Sequence, residues 1–395
     1  MNTPSSTSRC GIDTVEISRV QKLLNDLQPD ELARLFSAQE LEDAGTGAGC
    51  TASLAARFAA KEACCKLFPR ETSLGMIGPA DFSVCKDGYG APQIVVSEDA
   101  RTVMNRHRVA TIQVSLTHSE TTASAVAVVE MQETKVPWFG KWMYYLMPVR
   151  RRAVMENLHR VFGDVLPETE IVRLAQAYYG HLVRFGISCL WRWGRVRIEN
   201  YEAAIRAFDQ GKGVLLLTGH FGHWEAAMTA GLRHIPQCRG IFHLVRRPLN
   251  PPWLNELVIR WNRRAGLGTL GKRGSLDDML QLLSKGAIVV FVFDQHAARR
   301  DGVFVDFLGH KAGTSKSLAI IAELTRAPVV PVSCWRDDDG THVLRFEEAL
   351  PFIDCEDPGE LLRRNTRAYN AALERMLLRH PEQWIWMHKR WKGWV

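Results

Sequence analysis

At 395 residues the chain is longer than one ordinary domain, so two or three are expected. Hydrophobic residues make up 46% and charged residues 24%, the balance of a soluble globular protein with ample core. The nine cysteines lack framework spacing and two are adjacent (Cys64, Cys65), which suits a reduced cytosolic protein rather than a secreted one. Met1–Cys10 is polar and lacks the apolar core of a signal peptide, and no apolar run approaches the ~20 residues that a bilayer span requires.

The net charge of +7 is unevenly divided. Residues 1–130 carry 12 Lys+Arg against 16 Asp+Glu, and the remainder 38 against 27. This contrast favours two domains with different partners. A basic second half suits an anionic lipid surface, a phosphorylated substrate or an acidic carrier protein. Nucleic acid is the rival partner, but no recognisable nucleic-acid module accompanies the charge.

Residues 11–20 alternate apolar and polar side chains and read as a strand carrying Asp13 on one face, followed by a helix over about Val20 to Leu35. The glycine-rich run Gly45–Gly49 has no strand before it and reads as a connector. Leu54–Lys66 is rich in helix formers and sets Glu62 and Lys66 four apart on one face, ordinarily a surface pair worth a few tenths of a kcal/mol. These residues have companions. Gly11-Ile12-Asp13-Thr14-Val15-Glu16-Ile17, Arg57-Phe58-Ala59-Ala60-Lys61-Glu62-Ala63, Asp87-Gly88-Tyr89-Gly90-Ala91-Pro92 and Val114-Ser115-Leu116-Thr117-His118-Ser119 follow one another in order.

Together, over about residues 10 to 130, they resemble holo-acyl-carrier-protein synthase. That family moves 4′-phosphopantetheine from coenzyme A to a carrier-protein serine with Mg²⁺. The resemblance implies that Asp13 and Glu62 hold the magnesium and that Lys66 assists proton transfer. Hard oxygen ligands beside a pyrophosphate suit that chemistry. His118 matches the Thr-His-Ser block and lines the coenzyme A site, or else is a structural histidine at a strand end. After Lys66 this chain has Leu67-Phe68-Pro69-Arg70-Glu71 where the family has a Gly-Thr-Gly turn.

Met131–Pro137 is a short linker. Trp138–Met147, followed by Arg150-Arg151-Arg152, is too short to span a bilayer. Its Trp and Tyr beside arginines suit a membrane interface, with a buried docking helix as the other reading. Helices are expected over Leu166–Trp193 and Tyr201–Gln210. The apolar run Val214–Leu217 then ends at Thr218-Gly219-His220-Phe221-Gly222-His223-Trp224-Glu225, before a helix-like segment to Leu232. This reads as a buried strand delivering a histidine to a sheet edge. Gly219 and Gly222 can break the backbone so that His220 and Glu225 meet. Glu225 would then orient the ring while its other nitrogen faces a substrate hydroxyl. A loop histidine near a helix cap is the bland alternative. His220 and His223 as metal ligands would need a third, which the nearby spacing does not supply.

Gly240–Val245 is a second strand, ending at Arg246-Arg247-Pro248. Gly266–Arg273 satisfies G-x-G-x-x-G, but follows a helix-like segment (Trp253–Arg264) and has Arg273 where a P-loop needs Ser or Thr, so it reads as a basic loop. Ala287–Phe293 is an unbroken apolar strand for the middle of a parallel sheet, bringing Asp294 and Gln295 to the edge that carries His220, where polar residues are placed to orient substrate. Helix-like Lys316–Leu324 and strand-like Pro328–Cys334 continue the alternation. Trp384, Trp386 and Trp391 with His388-Lys389-Arg390 suit a lipid headgroup or packing.

The blocks His220-(x4)-Glu225, Val245–Pro251, Phe293-Asp294-Gln295, Val303–Gly309 and Pro381–Trp391 resemble, in order and spacing, the bacterial lipid A late (lauroyl/myristoyl) acyltransferases over roughly residues 137 to 395. The resemblance implies that Arg247 binds a phosphate or the thioester oxyanion. The expected architecture is an α+β phosphopantetheinyl-transferase-like domain (1–130), a linker with an interfacial amphipathic segment (131–152), and an α/β acyltransferase domain with a mostly parallel sheet (153–395). The expected partners are acyl carrier protein, coenzyme A, an anionic lipid or glycolipid acceptor and the cytoplasmic face of the inner membrane, touched peripherally. A homo-oligomer through the first domain is a further expectation. No metal is expected in the second site. The alternative is an acyltransferase of a specialised acyl or polyketide pathway whose first domain only docks carrier protein or oligomerises.

Overall fold

The computed structural model describes residues 9–73, 75–147, 149–190, 195–234, 239–271 and 274–393. The chain divides into two compact units, Met1–Thr134 with Phe162–Pro167, and Lys135–Val161 with Glu168–Val395.

In the first unit, β1 (Cys10–Glu16), β5 (Thr122–Met131) and β4 (Val109–His118) form an antiparallel sheet in the order β1-β5-β4. β2 (Phe82–Lys86) and β3 (Pro92–Val96) form a separate hairpin. The helix Cys50–Cys65 packs on the three-stranded sheet through small residues, with Ala55, Ala59, Ala60 and Ala63 facing Ala123, Ala125 and Ala127 in a fully buried seam. A Cβ on Gly11 would lie 2.1 Å from the Ala63 carbonyl oxygen, so only glycine allows strand and helix to approach this closely. Lys61, buried on the same helix, pairs with buried Glu40 at 2.6 Å. The remaining capacity of Glu40 is taken by the amides of Ser37 and Val84.

Two expected boundaries shift. β1 stops at Glu16 and a helix runs from Ile17 to Asp26. The expected single helix to Leu35 is broken, because Pro29 starts a new turn (Pro29–Leu32) capped by Gln28.

The second unit carries a seven-stranded sheet of β6 (Val196–Glu199), β7 (Val214–Thr218), β8 (Phe242–Arg246), β9 (Leu267–Gly271), β10 (Ile288–Val292), β13 (Val329–Arg336) and β14 (His342–Phe346). Its order is β6-β14-β13-β7-β10-β8-β9, and every pairing is parallel except β13 with β14. β7 is buried at every position and β10 at all but its last, as their apolar runs require of central parallel strands. β11 (Gly302–Phe307) and β12 (His310–Ser315) form a hairpin apart from this sheet, turned by Leu308 and Gly309 at φ 52° and 80°. The long helix Pro358–Arg379 packs against that hairpin.

The segment read as a basic loop, Gly266–Arg273, is instead β9, an edge strand, up to Gly271; Lys272 and Arg273 lie outside the described residues. The expected helix Leu166–Trp193 runs from Glu168 to Leu190, with residues 191–194 outside the description. The Trp138–Leu146 helix buries only Gly140, which abuts Gln176 and Gly180 of the helix Glu168–Leu190. Trp138, Trp142, Tyr145 and Leu146 are 64–77% exposed, so it is not a buried docking helix. Among the described residues no helix is long and apolar enough to cross a membrane. Of the C-terminal tryptophans, Trp384 and Trp386 resolve toward packing, being with Arg390 among the largest fully buried side chains, while Trp391 is half-buried.

Candidate active site

The C-terminal edge of β7 presents the turn Gly219–His223. Gly222 sits at φ +51°, and a Cβ there would come within 2.9 Å of the Cys334 carbonyl oxygen and 3.0 Å of Trp335 Cα. A Cβ on Gly219 would meet the Phe221 ring at 2.7 Å. Both glycines therefore shape the turn that carries His220.

β10 lies beside β7 in parallel register, with Val292 opposite Thr218. It thereby brings Asp294 beneath His220. His220 Nδ1 lies 2.8 Å from Asp294 Oδ1, and the His220 amide donates to Oδ2 at 2.8 Å. Trp384 Nε1 donates to the same Oδ2, also at 2.8 Å. Burial raises the Asp294 carboxyl pKa, but the His220 charge and the hydrogen bonds from His220 and Trp384 outweigh it and hold the group well below the usual carboxylate range. The His220 side chain keeps 27% exposure against 1% for Asp294. The site thus has an open imidazole on a buried, ionised carboxylate.

The sequence reading gave the orienting role to Glu225 and placed Asp294 on substrate. The carboxylate on Nδ1 is Asp294. Glu225 opens the helix Trp224–His234, and its side chain lies outside the described residues. His223, read as an alternative metal ligand, is buried with Nδ1 2.9 Å from Ser188 Oγ. Among the described residues no three His, Cys, Asp or Glu side chains gather in a metal-binding group.

The Pro381–Trp391 block holds the turn from outside. Phe221 bridges Trp384 in an antiparallel contact, and the Gly222 amide donates to the Gln383 carbonyl at 3.0 Å. The Gln383 side chain clamps both backbone groups of Arg336 on β13. The His388 ring stands 5.6 Å from that of His220. Burial first, then the neighbouring His220 charge, depress its pKa, with Arg150 adding to this and Asp294 opposing it. Neither Trp384 nor His388 was assigned to the site from sequence, because the block's aromatic composition fits packing and chemistry equally well. Gln295 is half-buried, its carbonyl 3.5 Å from Arg390 Nη1. Arg247 is exposed directly after β8, two strands from β7 on the same edge and so about 10 Å across.

In the first unit, Lys66 Nζ donates to Asp13 Oδ1 at 2.8 Å and to the Ile12 carbonyl at 2.9 Å. Glu62 is half-buried one turn earlier on the same helix face. Register puts Asp13, Ala125 and Leu116 in one row and Val15, Ala123 and His118 in the next on the same face, so His118 shares the sheet face that bears Asp13. His118 is exposed. Asp13 and Glu62 each offer a carboxylate, the hard oxygen donor of which Mg²⁺ commonly takes one or two beside phosphate oxygens and water. Of the residues that replace the Gly-Thr-Gly turn, Leu67 and Phe68 are buried, with Phe68 stacked on Phe82, while Pro69, Arg70 and Glu71 are exposed.

Residues 133–393 match the family described as bacterial lipid A biosynthesis acyltransferase, and residues 9–127 match the 4′-phosphopantetheinyl transferase superfamily. Holo-[acyl-carrier-protein] synthase of Treponema denticola is 41% identical over 30% of this chain and 95% of that protein. Lipid A biosynthesis lauroyltransferase of Escherichia coli strain K12 is 25% identical over 64% of this chain and 82% of that protein. Phosphatidylinositol mannoside acyltransferase of Mycobacterium tuberculosis is 26% identical over 49% of this chain and 58% of that protein. The chain therefore belongs to the bacterial lipid A biosynthesis acyltransferase family through its second unit and to the holo-acyl-carrier-protein synthases through its first.

Proposed function

We propose that the chain charges a carrier protein in its first unit and draws on an acyl-carrier thioester in its second. In the second unit, Asp294 fixes His220 with its proton on Nδ1, which makes Nε2 the basic nitrogen of the neutral ring. Nε2 removes the proton from the acceptor hydroxyl as the oxygen attacks the thioester carbonyl. The tetrahedral intermediate then expels the carrier's thiolate, which takes the proton back from His220. Asp294 stabilises the imidazolium between these steps, and Trp384 keeps the carboxylate aimed. Glu225 remains the proposed second carboxylate of the motif, with Arg247 and Gln295 as substrate contacts. The His220–Asp294–Trp384 arrangement at a parallel sheet edge is the observation that carries this reading.

In the first unit Asp13 and Glu62 would hold Mg²⁺, which when bound neutralises charge on the coenzyme A pyrophosphate. Lys66, already on Asp13, would help move the carrier serine's proton, and His118 would line the coenzyme A site. The exposed aromatic face of the Trp138–Leu146 helix, beside Arg150, Arg151 and Arg152, supports peripheral contact with an anionic bilayer. The acceptor is a lipid or glycolipid; among the relatives, the names cover both lipid A and a phosphatidylinositol mannoside.

The deciding experiment is a lipid mass profile of the native host with the wild-type chain against His220→Ala. Loss of one acyl chain from a lipid or glycolipid names the acceptor and supports the reading. An unchanged acyl-lipid profile, with the variant folded and expressed, sinks it.

A further inference from the structure

Beside β9 lies a cavity of about 330 Å³ that the chemistry above does not use. Asn255, Ile259 and Arg263, one face of the helix Pro252–Ala265, form its roof, and β9 with Arg246 and Pro248 its floor. Register pairs Arg246 with Gly271 and Leu244 with Thr269, so Arg246 and Thr269 project from the same face of the sheet.

Two polar atoms of its lining lack partners. Arg246 Nη1 and Thr269 Oγ1 are buried and have no hydrogen-bond partner among the described residues. Folded proteins pair nearly all such groups with protein or water, so two of them lining one cavity point to a molecule bound there. A single buried water accounts for about 30 Å³, far less than this volume. The lining described includes two guanidinium groups and no carboxylate, a donor-rich wall suited to acceptor oxygens. Arg246 ends β8 on the sheet edge that bears His220.

We propose that this trench binds a phosphate ester, with Arg246 and Thr269 as its donors and the rest of the molecule directed toward His220. The proposal rests on the acyl-transfer reading for the ligand's role, but not for its binding. A phosphate ester has two sources in that reaction, the phosphopantetheine arm of the donor and a phosphorylated lipid acceptor.

Hydrogen–deuterium exchange of the full chain tests this without turnover, reading peptides across residues 242–271 alone. The probes are 4′-phosphopantetheine, pantetheine without its phosphate, and short-chain phosphatidate. One phosphate probe at saturation should slow exchange there by roughly tenfold or more while pantetheine does not. Arg246→Gln and the near-isosteric Thr269→Val should both weaken that protection while melting like wild type. Protection by phosphopantetheine assigns the donor arm, and protection by phosphatidate assigns the acceptor. Protection by neither phosphate, or equal protection in both variants, overturns the site and leaves a cavity filled by solvent. Because the readout needs no catalysis, a dead His220→Ala chain that still shows protection separates failure of the acyl-transfer reading from failure of this one.

Discussion

Asp294 Oδ2 accepts two hydrogen bonds of 2.8 Å from opposite directions in sequence, one from the His220 amide and one from the Trp384 indole. The other oxygen meets His220 Nδ1. One carboxylate therefore sets the ring's tautomer, the backbone of its turn and the seat of the C-terminal block.

Asp294→Asn should leave the fold in place but allow an amide hydrogen to face Nδ1, favouring the wrong tautomer. Acyl transfer is expected to fall by roughly 10²–10⁴ in kcat, with KM little changed. Trp384→Phe removes one donor to a buried carboxylate and keeps most of the bulk, with a loss of about 1.5–3 kcal/mol of stability and a smaller fall in kcat. Steady-state kinetics beside thermal melts check both.

Gly222→Ala places a methyl group against the Cys334 carbonyl at a left-handed φ. About 1–3 kcal/mol of strain is expected, relieved by moving His220. The variant should lose acyl transfer and retain pantetheinylation, while Glu62→Ala should do the reverse. Paired assays of each variant decide the matter, and loss of both activities from either folded protein would contradict two independent sites.

His107 in the first unit is fully buried, and burial first, then Arg9 and Arg106, push its pKa down to about 3. Its Nδ1 lies 2.8 Å from Arg9 Nη1, and since guanidinium only donates, that nitrogen is unprotonated. The unfolded chain binds a proton near pH 6.5 that the folded one refuses. The group's contribution is therefore complete above about pH 6.5 and declines as pH falls toward 3, by up to about 1.4 kcal/mol per pH unit. Denaturant melts of wild type and His107→Gln between pH 7 and 4 should show a shallower slope in the variant.

Trp138→Ala with Trp142→Ala removes two rings, 77% and 64% exposed, from the face proposed to touch lipid. Binding to vesicles containing anionic lipid should weaken by roughly tenfold or more, and the remainder should fall further with added salt. Vesicle co-sedimentation at two ionic strengths reads both effects. Unchanged binding would show that this face does not enter the interface.

Much of this was legible because local physics decides it. The run Ala287–Phe293 could be placed in the sheet's middle because burial on both faces leaves only apolar side chains, and the glycines around His220 announced a turn. The partnership of His220 with Asp294 spans 74 residues. It depends on β7 and β10 being neighbours, which no local pattern states, so the nearer Glu225 attracted the role. β9 was missed because its glycines imitate a loop. On an edge strand Gly268 has a packing reason, since a Cβ there would lie 2.2 Å from the His243 ring. Exposure of the Trp138–Leu146 helix was undecided because amphipathic composition shows that a face exists, not whether anything covers it.

The bridge from Phe221 to Trp384 also has a consequence for biosynthesis. As the chain leaves the ribosome, the strands and the long helix of the first unit emerge well before Trp384. The second centre stays incomplete until that tryptophan appears, so a nascent or prematurely stopped chain would hold the first unit's strands and helix while Asp294 Oδ2 still lacked its indole donor.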